Sequence, residues 1–331
     1  MLLLDIKNLT IELETPDGLI RAVDRVSLSL REGETRGLVG ESGSGKSLVA
    51  KAIVGVLNRR WRITADRFSW MGQDMLQVSA EQRRKIIGRD IAMIYQEPSR
   101  SLDPTALVGE QLEEAIPTSL LDGYWWQKPF LRKKKAIALL HKVGIRDHQN
   151  IMQSYPYQLS EGICQKVMIA MAIAKNPKLL IADEPTTALE STTQAQLFRL
   201  LASFNQLKGM AILLISHELE SVARYTQNLS VLYCGQLVES GDTTAILKHP
   251  FHPYTHALIK SVPEFQPDLL PKSPLYALPG SIPTLQHLPI GCRLGPRCPN
   301  ARKECVKTPN LERLQNHYYS CHFPLLKRDE S

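Results

Sequence analysis

The densest chemistry in the chain lies in Gly40-Glu41-Ser42-Gly43-Ser44-Gly45-Lys46-Ser47, which follows the pattern G-x-x-x-x-G-K-[ST]. Its glycines let successive backbone N–H groups curl around an anion. Lys46 adds a cation at β- and γ-phosphates, and the Ser47 hydroxyl is a Mg²⁺ ligand. Residues 35–39 ahead of it read as a strand and residues 47–54 behind it as a helix, so the phosphates would meet a helix N-terminus, where free amides and the dipole favour negative charge. A glycine- and serine-rich turn before a helix has the same composition; the flanking strand and helix favour the phosphate loop.

A second cluster closes the apolar run Leu179-Leu-Ile-Ala182 with Asp183-Glu184. Strands often end in acids, so alone the pattern is weak. Downstream of a phosphate loop, Asp183 falls where a second Mg²⁺ contact is needed, and Glu184 is placed to activate water as a general base. A third cluster is Cys292, Cys298, Cys305 and Cys321, spaced C-x₅-C-x₆-C-x₁₅-C. Four thiols on a tail too small to build a core gain stability from a bound metal. The C-x₂₋₄-C pairs of structural zinc are absent, and Cys298-Pro299 matches the end of bacterial ferredoxin runs. Iron–sulfur, zinc (with His317 or His322 replacing a thiol) and plain packing all stand at this point. Cys164 and Cys234 read as packing residues.

The elements that must position these groups alternate along the chain. Leu9, Ile11 and Leu13, then Val26, Leu28 and Leu30, alternate with polar neighbours and read as antiparallel strands joined at Pro16-Asp17-Gly18. Residues 81–175 read as mostly helical, with breaks at Pro98 and Pro156. The wholly apolar runs 179–182 and 211–215 read as buried parallel strands. Between them Leu197, Leu200, Leu201, Phe204 and Leu207 mark a helix closed by Gly209. The fold class is α/β, with ligand at the strand carboxyl ends. Eleven of the 21 prolines fall after residue 262, giving an extended linker and a cysteine-bearing appendix over residues 263–331.

Composition adds limits. The chain has 331 residues, 43% hydrophobic and 22% charged, and a net charge of +7, which permits but does not demand an anionic partner. No apolar stretch approaches the roughly 20 residues of a membrane span. The start lacks a signal-peptide pattern, so a cytoplasmic setting with reduced thiols is expected. Tyr124-Trp-Trp126 beside Arg132-Lys-Lys-Lys135 reads as a membrane or partner contact, or as a solvated helix start.

Further motifs bring a family into view. Tyr157-Gln-Leu-Ser160-Glu161-Gly162-Ile-Cys-Gln165 resembles the signature of ATP-binding cassette (ABC) ATPases. Gln96 in Ile94-Tyr-Gln-Glu-Pro98 resembles the Q-loop, Ala188-Leu189-Glu190 the D-loop, and His217 in Ile215-Ser-His the switch histidine. Ser101-Leu-Asp-Pro104, His252-Pro-Tyr-Thr255 and Cys292-Arg-Leu-Gly-Pro-Arg-Cys298-Pro resemble the oligopeptide, dipeptide and nickel importer ATPases.

The resemblance implies an ABC-type P-loop fold with an antiparallel β subdomain, a helical subdomain near residues 97–175 within a cassette of residues 1–262, and a small cysteine-containing C-terminal extension. It implies ATP and Mg²⁺ as cofactors, with Gly40, Glu41, Ser42, Gly43, Ser44, Gly45, Lys46 and Ser47 on the phosphates and Ser47, Gln96 and Asp183 on the metal. Glu184 would be the base, His217 would contact the γ-phosphate, and Ser160 and Gly162 would close over ATP bound to a second ABC subunit; the acid at Glu161 adds the expectation that this second subunit is a different chain, giving a heterodimer. A [4Fe–4S] cluster on Cys292, Cys298, Cys305 and Cys321 is likewise implied. The implied work is hydrolysis-driven import of peptides, antimicrobial ones included, at the cytoplasmic face of a bacterial inner membrane. Two permease subunits and, indirectly, a periplasmic peptide-binding protein would be partners; nucleic acid would not.

A cassette with little turnover and a soluble, non-transport ABC ATPase are the alternatives. Three departures from the family pattern bear on them. Glu161 replaces the signature's first glycine, Glu190 replaces the D-loop aspartate, and no aromatic residue lies near residues 17–20, where the adenine platform is expected.

Overall fold

In the computed structural model the alternating apolar residues of the first thirty positions build a long hairpin, β1 (Leu2–Thr15) antiparallel to β2 (Gly18–Arg31). Leu4, Ile6 and Leu9 oppose Leu30, Leu28 and Val26, and all six are buried. The structure describes residues 1–16, 18–186, 189, 191–268, 270 and 273–325. They fall into two compact units, Met1–Val78 with Leu213–Ser331, and Ser79–Ile212.

In the first unit the chain continues through β3 (Thr35–Val39) and the helix Lys46–Val54 to β4 (Trp61–Thr64), β5 (Arg67–Trp70) and β6 (Gln73–Asp74). Both β4 and β5 pair antiparallel with β1, and β6 with β5, which completes an all-antiparallel sheet. That is the antiparallel subdomain expected from the resemblance.

The second unit holds the helices Ala80–Asp90, Val108–Glu114, Lys128–Lys142, Glu161–Ile173 and Ser191–Lys208. Within the stretch expected to be helical lies a strand, β7 (Ile91–Ile94), paired parallel with β8 (Leu179–Asp183). Four apolar residues form too short a run for periodicity to separate strand from helix. On the helix Ser191–Lys208 the expected apolar face is only partly covered: Leu197 and Leu201 are buried but Leu207 is exposed. Every residue of β8 is buried, as is every residue of β9 (Ala211–Ser216).

The chain re-enters the first unit within β9, at Leu213, and continues through β10 (Asn228–Tyr233) and β11 (Gln236–Asp242), joined by a tight turn at Cys234-Gly235. Strand β10 runs parallel to β3. The tail belongs to this unit. Its hairpin, β12 (Glu312–Leu314) and β13 (His317–Tyr319), pairs onto β11 and extends the sheet order to β12-β13-β11-β10-β3-β9. The rest of the tail is irregular, with short 3₁₀ turns, in keeping with its proline content.

Candidate nucleotide site

The phosphate loop links β3 to the helix Lys46–Val54, whose N-cap Gly45 adopts φ +96° and offers no side-chain cap. The uncapped first turn suits an anion. Lys46 is buried, and its Nζ donates to the Gly40 carbonyl at 2.7 Å and the Glu41 carbonyl at 3.0 Å. The ammonium thus lies across the loop it is meant to serve, held by the carbonyls that shape it. Gly235 N–H, from the turn after β10, donates to the Ser44 carbonyl at 2.9 Å and fixes the loop from below. The first unit also holds His217, exposed at the end of β9, where the Ser216 hydroxyl accepts from Glu218 N–H at 2.9 Å. Around the expected adenine platform Leu19 is exposed, and Asp17 lies outside the described residues.

In the second unit Asp183 is buried at the end of β8, and the following Glu184 adopts φ +48°. A left-handed backbone is costly for a residue with a Cβ, and such strain clusters at functional positions. It turns the Glu184 carboxylate toward Gln96, whose Nε2 donates to Oε2 at 3.1 Å. Two residues 88 positions apart, singled out separately for metal and base roles, are therefore in direct contact. The Gln194 amide donates to the carbonyls of Thr186 and Leu189, each at 3.2 Å, steadying the segment that follows Glu184. Ala188 and Glu190 lie outside the described residues.

Ser160 caps the helix Glu161–Ile173, its Oγ accepting from Ile163 N–H at 3.4 Å. Glu161, which stands where the family has glycine, accepts from the Ser99 hydroxyl at 2.5 Å. Gly162 has no neighbour closer than Leu189 Cδ2, 3.8 Å from where a Cβ would lie. Of the aromatic and basic stretch, Tyr124, Trp125 and Trp126 are exposed, with the Tyr124 and Trp126 rings stacked at 4.7 Å. Two of the four following cations are occupied locally: Arg132 donates to Thr118 Oγ1 and Lys135 to the Leu120 carbonyl.

The tail supplies contacts that local sequence patterns do not signal. Arg293 donates to the Cys234 carbonyl and pairs with Asp24 at 3.5 Å, while Arg297 bonds Glu41 of the phosphate loop at 2.9 Å. Tyr254, in the His252-Pro-Tyr-Thr255 motif, accepts from Glu41 N–H at 2.9 Å. Glu239 is fully buried and accepts from the backbone N–H groups of Phe251 and His252. The same carboxylate is bonded to His317 Nε2 at 2.6 Å. His317 is thereby committed to β11 rather than to the cysteines, and His322 Nε2 is bonded to the Lys307 carbonyl at 2.9 Å.

All six cysteines are unbridged. Cys164 and Cys234 are buried, as expected of packing residues, and burial pushes the Cys234 thiol up to about 11. Cys292, Cys298, Cys305 and Cys321 converge closely enough that the other three all raise the Cys321 thiol, which burial, the larger cause, brings to about 11. Cys292 N–H donates to the Cys305 carbonyl at 2.9 Å. Yet among the described residues no group of three or more His, Cys, Asp or Glu side chains is disposed to hold a metal ion. The four cysteines expected to hold a [4Fe–4S] cluster thus form no ready coordination shell among the described residues.

The ABC transporter family matches residues 23–187, and the oligopeptide/dipeptide transporter C-terminal region matches residues 238–305. The chain belongs to the ABC transporter ATP-binding proteins. It is 56% identical, over 98% of both chains, to the peptide transport system ATP-binding protein SapD of Escherichia coli O6:H1. SapD of Haemophilus influenzae is 51% identical over 100% of this chain and 95% of its own. The dipeptide transport ATP-binding protein DppD of Escherichia coli K12 is 45% identical over 98% of both. Among solved structures, the dimeric bacterial ABC transporter cassette MJ0796 matches with a TM-score of 0.64 at 26% identity, covering 72% of this chain and 98% of that one. A dimeric post-hydrolysis state of MJ0796 bound to ADP and Pi matches with a TM-score of 0.61 at 26% identity, covering 72% and 98% of the two chains. This ABC protein is an ATPase with the cassette fold. Among its described residues no helix is long and apolar enough to cross a membrane.

Proposed function

We infer that this chain is the ATP-binding and ATP-hydrolysing subunit of an ABC importer for peptides, coupling hydrolysis to transport through two membrane-spanning permease subunits. The observation that carries the reading is the phosphate loop, with buried Lys46 bonded across its carbonyls, in a chain 56% identical to a peptide transport ATP-binding protein. In this reading residues 1–262 are the cassette and residues 263–331 its extension. Gly40–Ser47 hold the ATP phosphates, and Ser47, Gln96 and Asp183 serve Mg²⁺. Glu184 is the general base, and the Gln96–Glu184 hydrogen bond supports a shared orientation of metal ligand and base. His217 contacts the γ-phosphate. Ser160 and Gly162 close over ATP bound to a second, different cassette. The permeases hold the subunit on the cytoplasmic face of the inner membrane, and a periplasmic peptide-binding protein delivers cargo.

Substituting Glu184→Gln keeps the side chain's size and removes the base. In the assembled transporter it is expected to retain ATP while turnover falls on the order of 10²–10⁴-fold. Near-normal turnover in that variant overturns the assignment. Glu161 and Glu190 on the signature side support a heterodimer with one fast and one slow site. Equal loss of turnover on removing either cassette's catalytic glutamate rules that asymmetry out.

An iron–sulfur cluster on Cys292, Cys298, Cys305 and Cys321 is the finer reading of the tail, supported by the mutual approach of the four thiols. Taking up a cluster requires their deprotonation and a local rearrangement of the loops that carry them. Protein purified anaerobically is expected to contain iron and acid-labile sulfide. Absence of iron, with all four thiols freely alkylated in the native protein, leaves them as packing residues.

A further inference from the structure

The second residue of the phosphate loop is an acid, an unfavourable charge for a loop that receives a polyphosphate. Its side chain is accounted for by the tail. Glu41 Oε2 accepts from Arg297 Nη1 at 2.9 Å, and Oε1 accepts from Nη2 at 3.3 Å, a two-pronged pairing that fixes direction as well as charge. Arg297 is itself held from two other sides. Its Nη1 also donates to the Tyr233 hydroxyl at 3.2 Å, and its Nε donates to the Pro279 carbonyl at 3.0 Å.

The Tyr233 ring lies 4.7 Å from that of Tyr254, whose hydroxyl accepts from Glu41 N–H at 2.9 Å. Glu41 is therefore gripped at its side chain by the tail and at its backbone by the His252-Pro-Tyr-Thr255 motif. Its carbonyl in turn accepts from Lys46 Nζ. Arg297 is buried, so salt screens this ion pair less than a surface one.

We propose that Arg297 is a positioning residue for the nucleotide: it neutralises Glu41 and holds that carboxylate turned toward the tail, leaving the loop's amides and Lys46 to the phosphates. The proposal rests on the reading that Gly40–Ser47 bind ATP. Without Arg297 the Glu41 carboxylate is an unpaired negative charge on a polyanion site. Through this residue, immediately ahead of Cys298, the C-terminal extension becomes part of the nucleotide site rather than an appendage.

The test is a double-substitution cycle on the full chain, reading MgATP affinity by calorimetry and folding by urea unfolding. Arg297→Ala is expected to weaken MgATP about tenfold, the effect of losing a charge-assisted hydrogen-bond pair. Arg297→Lys keeps the cation but not the fork, so it falls between, and it replaces the alanine variant should that one not fold. In a Glu41→Gln background there is no charge left to neutralise, and Arg297→Ala then costs less than about threefold, a coupling of the size found between residues in contact.

A purely structural clamp predicts the same penalty in both backgrounds. That result, or wild-type affinity in Arg297→Ala, overturns the proposal. Lys46→Ala separates the two levels of inference. If it loses MgATP while Arg297→Ala does not, the loop binds nucleotide and only the role of Arg297 is wrong. If Lys46→Ala binds MgATP normally, the nucleotide lies elsewhere and both fall.

Discussion

Gly40 of the phosphate loop and Gly162 of the signature segment sit in contrasting surroundings. A Cβ on Gly40 would lie 2.1 Å from the Leu232 carbonyl oxygen, inside β10, whereas at Gly162 the closest atom is 3.8 Å away, an ordinary contact. The phosphate loop is walled in: Lys46 and Ser44 are buried, and the loop is bonded to the turn after β10, to Tyr254 and to Arg297. Around Gly162 the signature is open, with Ser160 and Glu161 exposed. Packing within the chain explains the first glycine and leaves the second unexplained. In the proposed reading, where the signature closes over ATP on a second cassette, such a glycine leaves room for an approach from outside.

Ranked by effect on stability, the first way to break this comparison is Gly40→Ala. Its Cβ meets the backbone oxygen of Leu232, which has no rotamer to escape into. Destabilisation of at least about 3 kcal/mol is expected, at the upper end of overpacking costs, read from urea unfolding. A stable, ATP-binding Gly40→Ala protein contradicts the close packing of loop and strand.

A second test acts on the buttress behind the phosphate loop. His252 is buried with its Nδ1 accepting from Tyr254 N–H at 3.1 Å, a bond that requires the neutral ring, and burial lowers its pKa from 6.5 to about 4. Well above pH 6.5 the ring is neutral whether folded or unfolded, and it adds no pH dependence. Below that the unfolded chain gains a proton that the folded one refuses, so stability falls with acid down to about pH 4, where the folded state titrates too. From pH 7 to pH 5 this one group accounts for a loss of about 2 kcal/mol. His252→Gln is expected to remove that slope between pH 7 and 5 in urea titrations; an unchanged slope shows that other groups carry it.

What local patterns revealed and what they hid follows the same division. The phosphate loop, Asp183-Glu184 and the signature were legible because each needs particular residue types at short spacing. The hairpin of β1 and β2 was legible because one buried face imposes alternation on both strands. Strand β7 was missed, since Ile91–Ile94 is short, buried and flanked by helices. The tail was underestimated for another reason. Its irregular backbone was visible in the prolines, but Arg297 reaches Glu41 across 256 positions and His317 reaches Glu239 across 78. Neither pairing leaves a periodic trace. The His252-Pro-Tyr-Thr255 motif was visible as a family marker, while its work, holding Glu41 N–H and the loop behind it, is apparent only in three dimensions.

The smallest expected effect on stability is also the sharpest test of the comparison. Gly162 lies in the first turn of the helix Glu161–Ile173, with room for a methyl group. In a helix alanine is favoured over glycine by roughly 0.5–1 kcal/mol, so Gly162→Ala is expected to leave stability unchanged or raise it by a few tenths of that scale at a frayed helix start. If the signature serves only its own chain, activity follows stability and nothing is lost. If it closes on the partner cassette's ATP, the added methyl group stands where a phosphate or a facing backbone must come close. The assembled transporter then loses turnover at the partner's site by an order of magnitude or more, a cost of about 1.4 kcal/mol per tenfold, while this subunit alone still binds MgATP at its own loop with unchanged affinity. Gly40→Ala reverses that pattern, damaging the isolated subunit first. Two glycines in one chain, equal in chemistry, are thus told apart by whether the loss is seen before or after the partner is added.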